Sequence, residues 1–266
     1  STVAIGGFST YDESIGYFNS PVIEAVAIIF MVICGINFGL HFYAFKGGIK
    51  NYLSDDETRT YLLILSVAAV VTSISLIIFG RYDTLDALRG SIFTVVSIFT
   101  TTGFTTEDFT QWPNMLPYMI FFGAFSGACA GSTGGGMKII RVLLIWKQGI
   151  REVFRIIHPN AMFPVKVNHR PVSPGVIEAI WGFFSVYVLI FVALHLIMIG
   201  LGMDFLTAFS AVGACLNNLG PGLGDVAYHY GDISDQAKIV LVVAMMLGRL
   251  EIFTLLVLFT FMFWRK

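Results

Sequence analysis

The sequence predicts an all-α membrane protein built from a repeated unit: a span, a short re-entrant helix, a glycine turn and a second span. Three observations carry that prediction. The 266 residues are 56% apolar and only 12% charged, with a mean hydropathy of +0.79. A soluble domain carries roughly 25% charge, so a fully solvated surface cannot be built from what remains. Five stretches reach the roughly 17 to 25 apolar residues that a membrane helix needs, and one glycine turn recurs three times along the chain. The low charge disfavours soluble enzymes, and a net charge of −1 gives no basic field to attract nucleic acid. Cys34, Cys129 and Cys215 are odd in number and lie in apolar stretches, which argues against a disulfide framework. The chain opens on Ser1 with no charged leader ahead of it and is expected to be a fragment or a processed chain.

The predicted spans cover residues 21–45, 61–80, 115–146 (interrupted), 175–203 and 239–264. Basic residues flanking spans stay on the cytoplasmic side. Lys46, Lys50 and Arg59 follow the first span. Lys138, Arg141, Lys147, Arg151, Arg155, Lys166 and Arg170 follow the break in the third, and Arg265 and Lys266 end the chain. The alternate segments hold Asp12, Glu13, Asp83, Asp86, Glu107, Asp108, Asp204, Asp225, Asp232 and Asp235 against Arg81, Arg89 and Lys238. An outside N-terminal end and a cytoplasmic C-terminus satisfy every segment. The basic, proline-containing linker over 148–174 reads as a short cytoplasmic surface.

Two outer segments contain apolar runs too short or too polar to span. They begin at Thr84, after Asp83, and at Phe205, after Asp204, with Asp and Thr as helix-capping types. The first is expected to be helical over 84–99 and the second over 205–212. Each leads into a glycine turn and then an acidic residue. Ala4, Ile5, Gly6 and Gly7 align with Thr100, Thr101, Thr102 and Gly103, and more loosely with Asn217, Asn218, Leu219 and Gly220, with Asp12, Asp108 and Asp225 at one fixed separation beyond. Non-helical backbone at membrane depth is tolerated only inside protein or around a water-filled cavity. Converging glycine turns can replace a cation's hydration shell with backbone carbonyls, since glycine admits the dihedrals that turn successive carbonyls to one side. The re-entrant helices would aim their negative ends at the same point, and the acidic residues would concentrate cations at the mouth. The chain thus divides into residues 1–58 (second half of a unit), 59–174 (a complete unit with a broken inner helix and a basic linker) and 175–266 (a second complete unit).

These turns, together with the stretch from Gly127 to Lys138 and the late run Gly248, Arg249, Leu250, Glu251, resemble the bacterial TrkH and KtrB potassium-transporter family. NNLGPGLG at 217–224 and GSTGGGMK at 131–138 look most like its TrkH branch. The resemblance covers the whole chain. It implies a fold of repeated pore units as in potassium channels. It also implies potassium uptake or symport across the bacterial inner membrane, K+ held at the twelve turn residues, and no organic cofactor. The partners it implies are a second copy of the chain, the bilayer, and TrkA, a cytoplasmic nucleotide-binding ring protein. Family members carry four filter loops and this chain supplies three, so a sodium-permeable relative is the alternative within the family.

Gly123, Gly127, Gly131, Gly134, Gly135 and Gly136, with Ser126, Ser132 and Thr133, interrupt the third span. Interior glycines each cost a helix about 1 kcal/mol relative to alanine, so this stretch should unwind and line a cavity. The resemblance gives Gly127, Gly131, Ser132, Thr133, Gly134, Gly135, Gly136 and Lys138 a gating role. Arg249, ten residues into the last span, is expected to face the protein interior and, by resemblance, to act with this loop as a barrier. Glu251 lies on another face, so Arg249 should find a partner elsewhere or the loop's carbonyls. His41 and His195 read as satisfied core residues, Asn37 as an interhelical hydrogen-bonding group, and Glu24 and Glu178 as side chains reaching the interface. A rival from another class is an intramembrane serine hydrolase with Ser132 as nucleophile and His195 as base, which leaves the repeat unexplained.

Overall fold

The computed structural model describes residues 1–266 apart from Asp12, Arg81, Phe259 and Lys266 and the side chains of Phe261 and Met262. The expectations placed on Asp12, Arg81 and Lys266 lie outside the described residues. Helices make up the fold: α1 (Pro21–Cys34), α2 (Phe38–Gly47), α3 (Lys50–Ser54), α4 (Asp56–Ile78), α5 (Thr84–Phe99), α6 (Leu116–Ser126), α7 (Ile139–Ile157), α8 (Pro174–Gly200), α9 (Phe205–Leu216), α10 (Asp235–Arg249), α11 (Ile252–Leu258) and α12 (Phe261–Trp264). A two-stranded antiparallel hairpin, β1 (Lys166–Val167) and β2 (Arg170–Pro171), joins α7 to α8.

Among the described residues only α4 and α8 are long and apolar enough to cross a membrane as single helices. The first and last predicted spans are bent pairs, α1 with α2 at 92° and α10 with α11 at 108°. At the first bend Gly35 has no room for a side chain against the Tyr61 ring, and the Asn37 side chain caps α2 by accepting from Gly39 N at 2.8 Å. At the second, Glu251 takes a left-handed φ of 51°. The third span splits as expected, into α6 and α7 around a non-helical stretch over 127–138. The helix α7 then continues to Ile157, well into what the sequence reads as a linker, and the hairpin follows.

The repeat is visible in the packing. The re-entrant helix α5 packs on α4 and α6 of its own unit and on α1 of the preceding one. Likewise α9 packs on α8 and α10 of its unit and on α6 of the preceding one. Their C-terminal halves are buried throughout, Phe93 to Phe99 and Ala211 to Leu216. The predicted bounds of α5 hold; α9 runs one turn further, to Leu216, with Gly213 leaving room for the rings of Phe121 and Phe125.

The Asp204 side chain caps α9 by accepting from Leu206 N at 3.0 Å and Thr207 N at 3.1 Å, whereas Asp83 makes no side-chain cap on α5. The Thr207 hydroxyl and the Thr207 and Leu206 amides hold the Asp204 carboxyl below the usual carboxylate range. That stabilisation is therefore present at neutral pH and is lost as pH falls through the lowered value. Asp204→Ala is expected to cost about 1 kcal/mol, read as a lower thermal midpoint at pH 7 that converges on the parent's in acid.

Candidate functional site

The three glycine turns share one backbone conformation. The second residue of each is left-handed, with φ of 49° at Ile5, 63° at Thr101 and 55° at Asn218, and so is the fourth, with φ of 63° at Gly7, 81° at Gly103 and 100° at Gly220. A β-branched residue in this region is a true outlier, and Ile5 and Thr101 both occupy it. The hydrogen bonds that hold the turns repeat as well. The Gly6, Thr102 and Leu219 amides donate to the carbonyls of Ser1, Ser97 and Ala214, at 3.2, 2.8 and 2.8 Å. The Ile5, Thr101 and Asn218 amides donate to Thr2, Ile98 and Cys215, at 3.1, 3.0 and 3.1 Å. In the second and third turns the accepting carbonyls belong to the last residues of α5 and α9. The turn amides are thereby consumed, and among the described residues no donor is bonded to the carbonyls of Ile5, Gly6, Thr101, Thr102, Asn218 or Leu219. Such a row of uncommitted oxygens suits a dehydrated cation.

The turns lie side by side. A methyl group on Gly7 would overlap the Thr102 carbonyl oxygen, and one on Gly103 would overlap that of Leu219. The second turn is therefore flanked by the other two. Its Thr100, Thr101 and Thr102 are buried. The first and third turns face each other across a cavity of about 610 Å³ lined by Ala4, Ile5, Gly6, Asn218, Leu219 and Gly220 among others. On that side Gly220 meets no neighbour within 4 Å. The third turn is anchored by Tyr187 of α8, whose hydroxyl donates to Asn217 Oδ1 at 2.8 Å, and by Tyr230, whose hydroxyl donates to the Gly220 carbonyl at 2.7 Å.

The glycine-rich loop between α6 and α7 reaches the second and third turns and the residue just before the first. The Thr133 hydroxyl donates to the Val3 carbonyl at 3.1 Å, just before the first turn. The Gly135 amide donates to Thr101 Oγ1 at 2.6 Å in the second, and Gly135 lies so close to the Asn217 carbonyl of the third that a side chain could not fit. Gly127 and Gly136, both left-handed, cross back to back at the loop's neck, where a Cβ on either would strike the other strand. The neck is closed by Met137 N to Phe125 O and Ile139 N to Ala128 O, each 3.1 Å. The Lys138 ammonium donates to the Gly134 carbonyl.

Arg249 is the last residue of α10, at the bend, and is exposed where the sequence places it within a span facing the interior. The reason is the bend itself together with the large cavity, which Arg249 also lines. It borders a second cavity as well, of about 270 Å³, with Gly131 to Gly136, Lys138, Arg141 and Glu251. Its Nη1 donates to the Thr133 carbonyl at 3.2 Å, a loop carbonyl as expected, while Glu251 pairs with Arg141 at 2.8 Å. Arg249 thus stands where the two cavities approach one another, hydrogen-bonded to the loop's tip.

Other expectations change. Glu24 does not reach the interface: it is 3% exposed and forms a bidentate pair with Arg89 of α5, at 2.6 and 2.7 Å, because α1 packs directly on α5. Asp108 caps the turn at Phe109–Gln111 by accepting from Thr110 N at 2.9 Å, while Asp225 is exposed. His41 is satisfied, by the Tyr52 hydroxyl at 2.7 Å and the Ile33 carbonyl at 3.0 Å. His195 is not: both ring nitrogens are buried without a partner among the described residues, and the ring lies among Phe191, Phe205 and Phe209. Ser132 donates instead to the Cys129 carbonyl at 2.6 Å, so no Ser–His hydrogen bond exists for the hydrolase reading. The three cysteines are free and buried. Sequence reasoning passed over Tyr187, Tyr230 and Glu57. Of these Glu57 alone had a signal, as a carboxylate directly ahead of the uncharged run that begins at Tyr61.

A sequence profile of the TrkH family, described as cation transport proteins, matches residues 1–266. The Trk system potassium uptake protein TrkH of Halomonas elongata is 53% identical over 267 residues, which cover all of this chain and 55% of that protein. TrkH of Escherichia coli is 47% identical over 268 residues, covering all of this chain and 56% of its own length. The crystal structure of the potassium transporter TrkH from Vibrio parahaemolyticus superposes with a TM-score of 0.95 at 51% identity, over 99% of this chain and 57% of the other. The chain therefore spans little more than half the length of these relatives. Matched by the family profile from end to end and by these relatives at 47 to 53% identity, the chain belongs to the TrkH family of cation transport proteins.

Proposed function

We propose that this chain forms three of the four filter segments of a potassium uptake pore in the bacterial inner membrane, gated from below by the loop over 127–138. The observation that carries this reading is the shared conformation of the three turns: two left-handed residues at matching positions and uncommitted carbonyls between them. Potassium is the cargo, held at Ala4 to Gly7, Thr100 to Gly103 and Asn217 to Gly220. The open side of Gly220 and the adjoining cavity are where a fourth filter segment would complete the ring. Residues 1–58, 59–174 and 175–266 act as half a pore unit and two whole ones. Gly127, Gly131 to Gly136, Lys138 and Arg249 form the barrier, because a chain segment held against two filter turns and against Val3 beside the other obstructs their common axis, and a fixed positive charge opposes a cation there.

The partners are a second copy of the chain, the bilayer and a TrkA-like nucleotide-binding ring on the cytoplasmic face, where the basic residues of α7 and the hairpin gather. The first turn faces outward and the C-terminus inward. The pore reading assigns no enzymatic step. The test is potassium uptake by bacteria lacking their own uptake systems, after expression of the full-length parent protein. Growth at low potassium and discrimination against sodium are expected. Equal uptake of sodium would favour the sodium-permeable alternative, and absence of uptake would overturn the reading.

A further inference from the structure

The loop over 127–138 is tied to another helix by one buried side chain. Glu57, in the first turn of α4, is 7% exposed, and its Oε1 accepts from the Ala130 amide at 2.6 Å and the Ile140 amide at 3.1 Å. These two donors lie on opposite strands of the neck, one before the glycine-rich tip and one after it. A single oxygen atom therefore holds both strands together and to α4. Burial withholds water as a substitute partner, so an amide that loses Glu57 is left unpaired.

Glu57 is also the neighbour of a cytoplasmic clamp. Asp55 caps α4, accepting from Thr58 N at 2.8 Å. Asn168, at the turn of the β1–β2 hairpin, donates from Nδ2 to Asp55 Oδ1 at 2.8 Å and accepts at Oδ1 from Asp56 N at 2.7 Å. Lys147 of α7 donates to Asp56 Oδ2 at 3.1 Å and to the Lys166 carbonyl at 2.8 Å. The hairpin, the start of α4 and the middle of α7 are thus joined through Asp55 and Asp56, and the next residue grips the loop.

We propose that Glu57 is a positioning residue that clasps the neck of the loop and keeps its tip beneath the turns, and that the hairpin sets that clasp through Asp55 and Asp56. The proposal rests on the reading of the loop as a gate. Displacing the hairpin from the cytoplasmic side moves the start of α4 and with it the acceptor shared by the two strands.

The test is potassium efflux from liposomes holding the full-length protein. Glu57→Leu, which removes the acceptor at similar volume, should raise basal flux about tenfold, the scale of one buried donor left unpaired, with the potassium-to-sodium ratio unchanged. Glu57→Gln keeps an accepting oxygen and should return flux to within about threefold of the parent. Asn168→Gly suits the left-handed φ of 49° at that turn while removing both side-chain bonds, and should raise flux to an intermediate level. Flux in Glu57→Leu equal to the parent's, or Glu57→Gln as leaky as Glu57→Leu, overturns the clasp. If Glu57→Leu does not assemble, Asn168→Gly decides, and unchanged flux there overturns the coupling. Deletion of Gly134 to Gly136 separates the two readings. If the deletion raises flux and Glu57→Leu does not, the clasp alone fails; if neither does, the gate fails.

Discussion

Gly103→Ala is expected to lower selective potassium flux of the full-length protein by at least about a hundredfold, the equivalent of about 3 kcal/mol of lost ion stabilisation. Two costs combine. The residue holds φ at 81°, a region that costs an L-residue roughly 1 to 2 kcal/mol. The added methyl would also overlap the Leu219 carbonyl oxygen. Leu219 cannot simply retreat, because its amide is bonded to Ala214 at the end of α9 at 2.8 Å. Either the second turn rotates its own carbonyls away or it pushes a carbonyl of the third turn off the axis, and both outcomes remove oxygens from the ion. Gly182→Ala is the control: it sits in α8 with no neighbour within 4 Å of the new methyl. Flux and the potassium-to-sodium ratio are measured together in liposomes. A Gly103→Ala protein that assembles and conducts with the parent's selectivity would remove the turns as the ion site.

Arg249→Ala should act in the opposite direction, raising potassium flux about tenfold while leaving selectivity in place. The substitution removes a positive charge that lines both cavities and a hydrogen bond that holds the Thr133 carbonyl, and with it the loop's tip. Deleting Gly134 to Gly136 removes the tip itself, including the Gly135 amide that bonds Thr101, and should exceed the effect of Arg249→Ala. In both variants the rise should come with weaker dependence on the proposed cytoplasmic ring protein. The two groups of variants separate the proposed functions: changes in the turns should lower selective flux, and changes in the loop or Arg249 should raise flux with selectivity kept. Flux that stays at the parent's level in both variants would discard the gate.

Much of this site was legible in the chain because it is written in local terms. A glycine with its fixed offset to an acidic residue marks a turn wherever it stands, and three copies at equivalent places exposed the repeat. The interrupted third span showed itself because clustered glycines raise the cost of a helix whatever surrounds it. The bends after Cys34 and Arg249 were harder to see, since each lies within an apolar run of sufficient length for one straight span. Gly35 and Asn37 are helix-end types, but single ones inside an apolar run, and Glu251 is a helix former. They bend because Tyr61 packs into the first break and Arg141 pairs with Glu251 at the second. Glu24 was misplaced for the same reason, its partner Arg89 being 65 residues away in sequence.

By itself the sequence determined residence in the membrane, the helical repeat, the three turns, the re-entrant helices and the break in the third span. All of these follow from composition and from the preferences of short runs of chain. Only the tertiary structure decided that the turns converge side by side, that the loop's tip meets the second and third turns and Val3 beside the first, and that Arg249 stands at a bend between two cavities. It also decided that Glu57 holds both strands of the neck. Each of these is a contact between residues far apart in the chain, made by side chains and carbonyls whose positions depend on how helices pack, and no local pattern encodes which distant partner a buried group will meet.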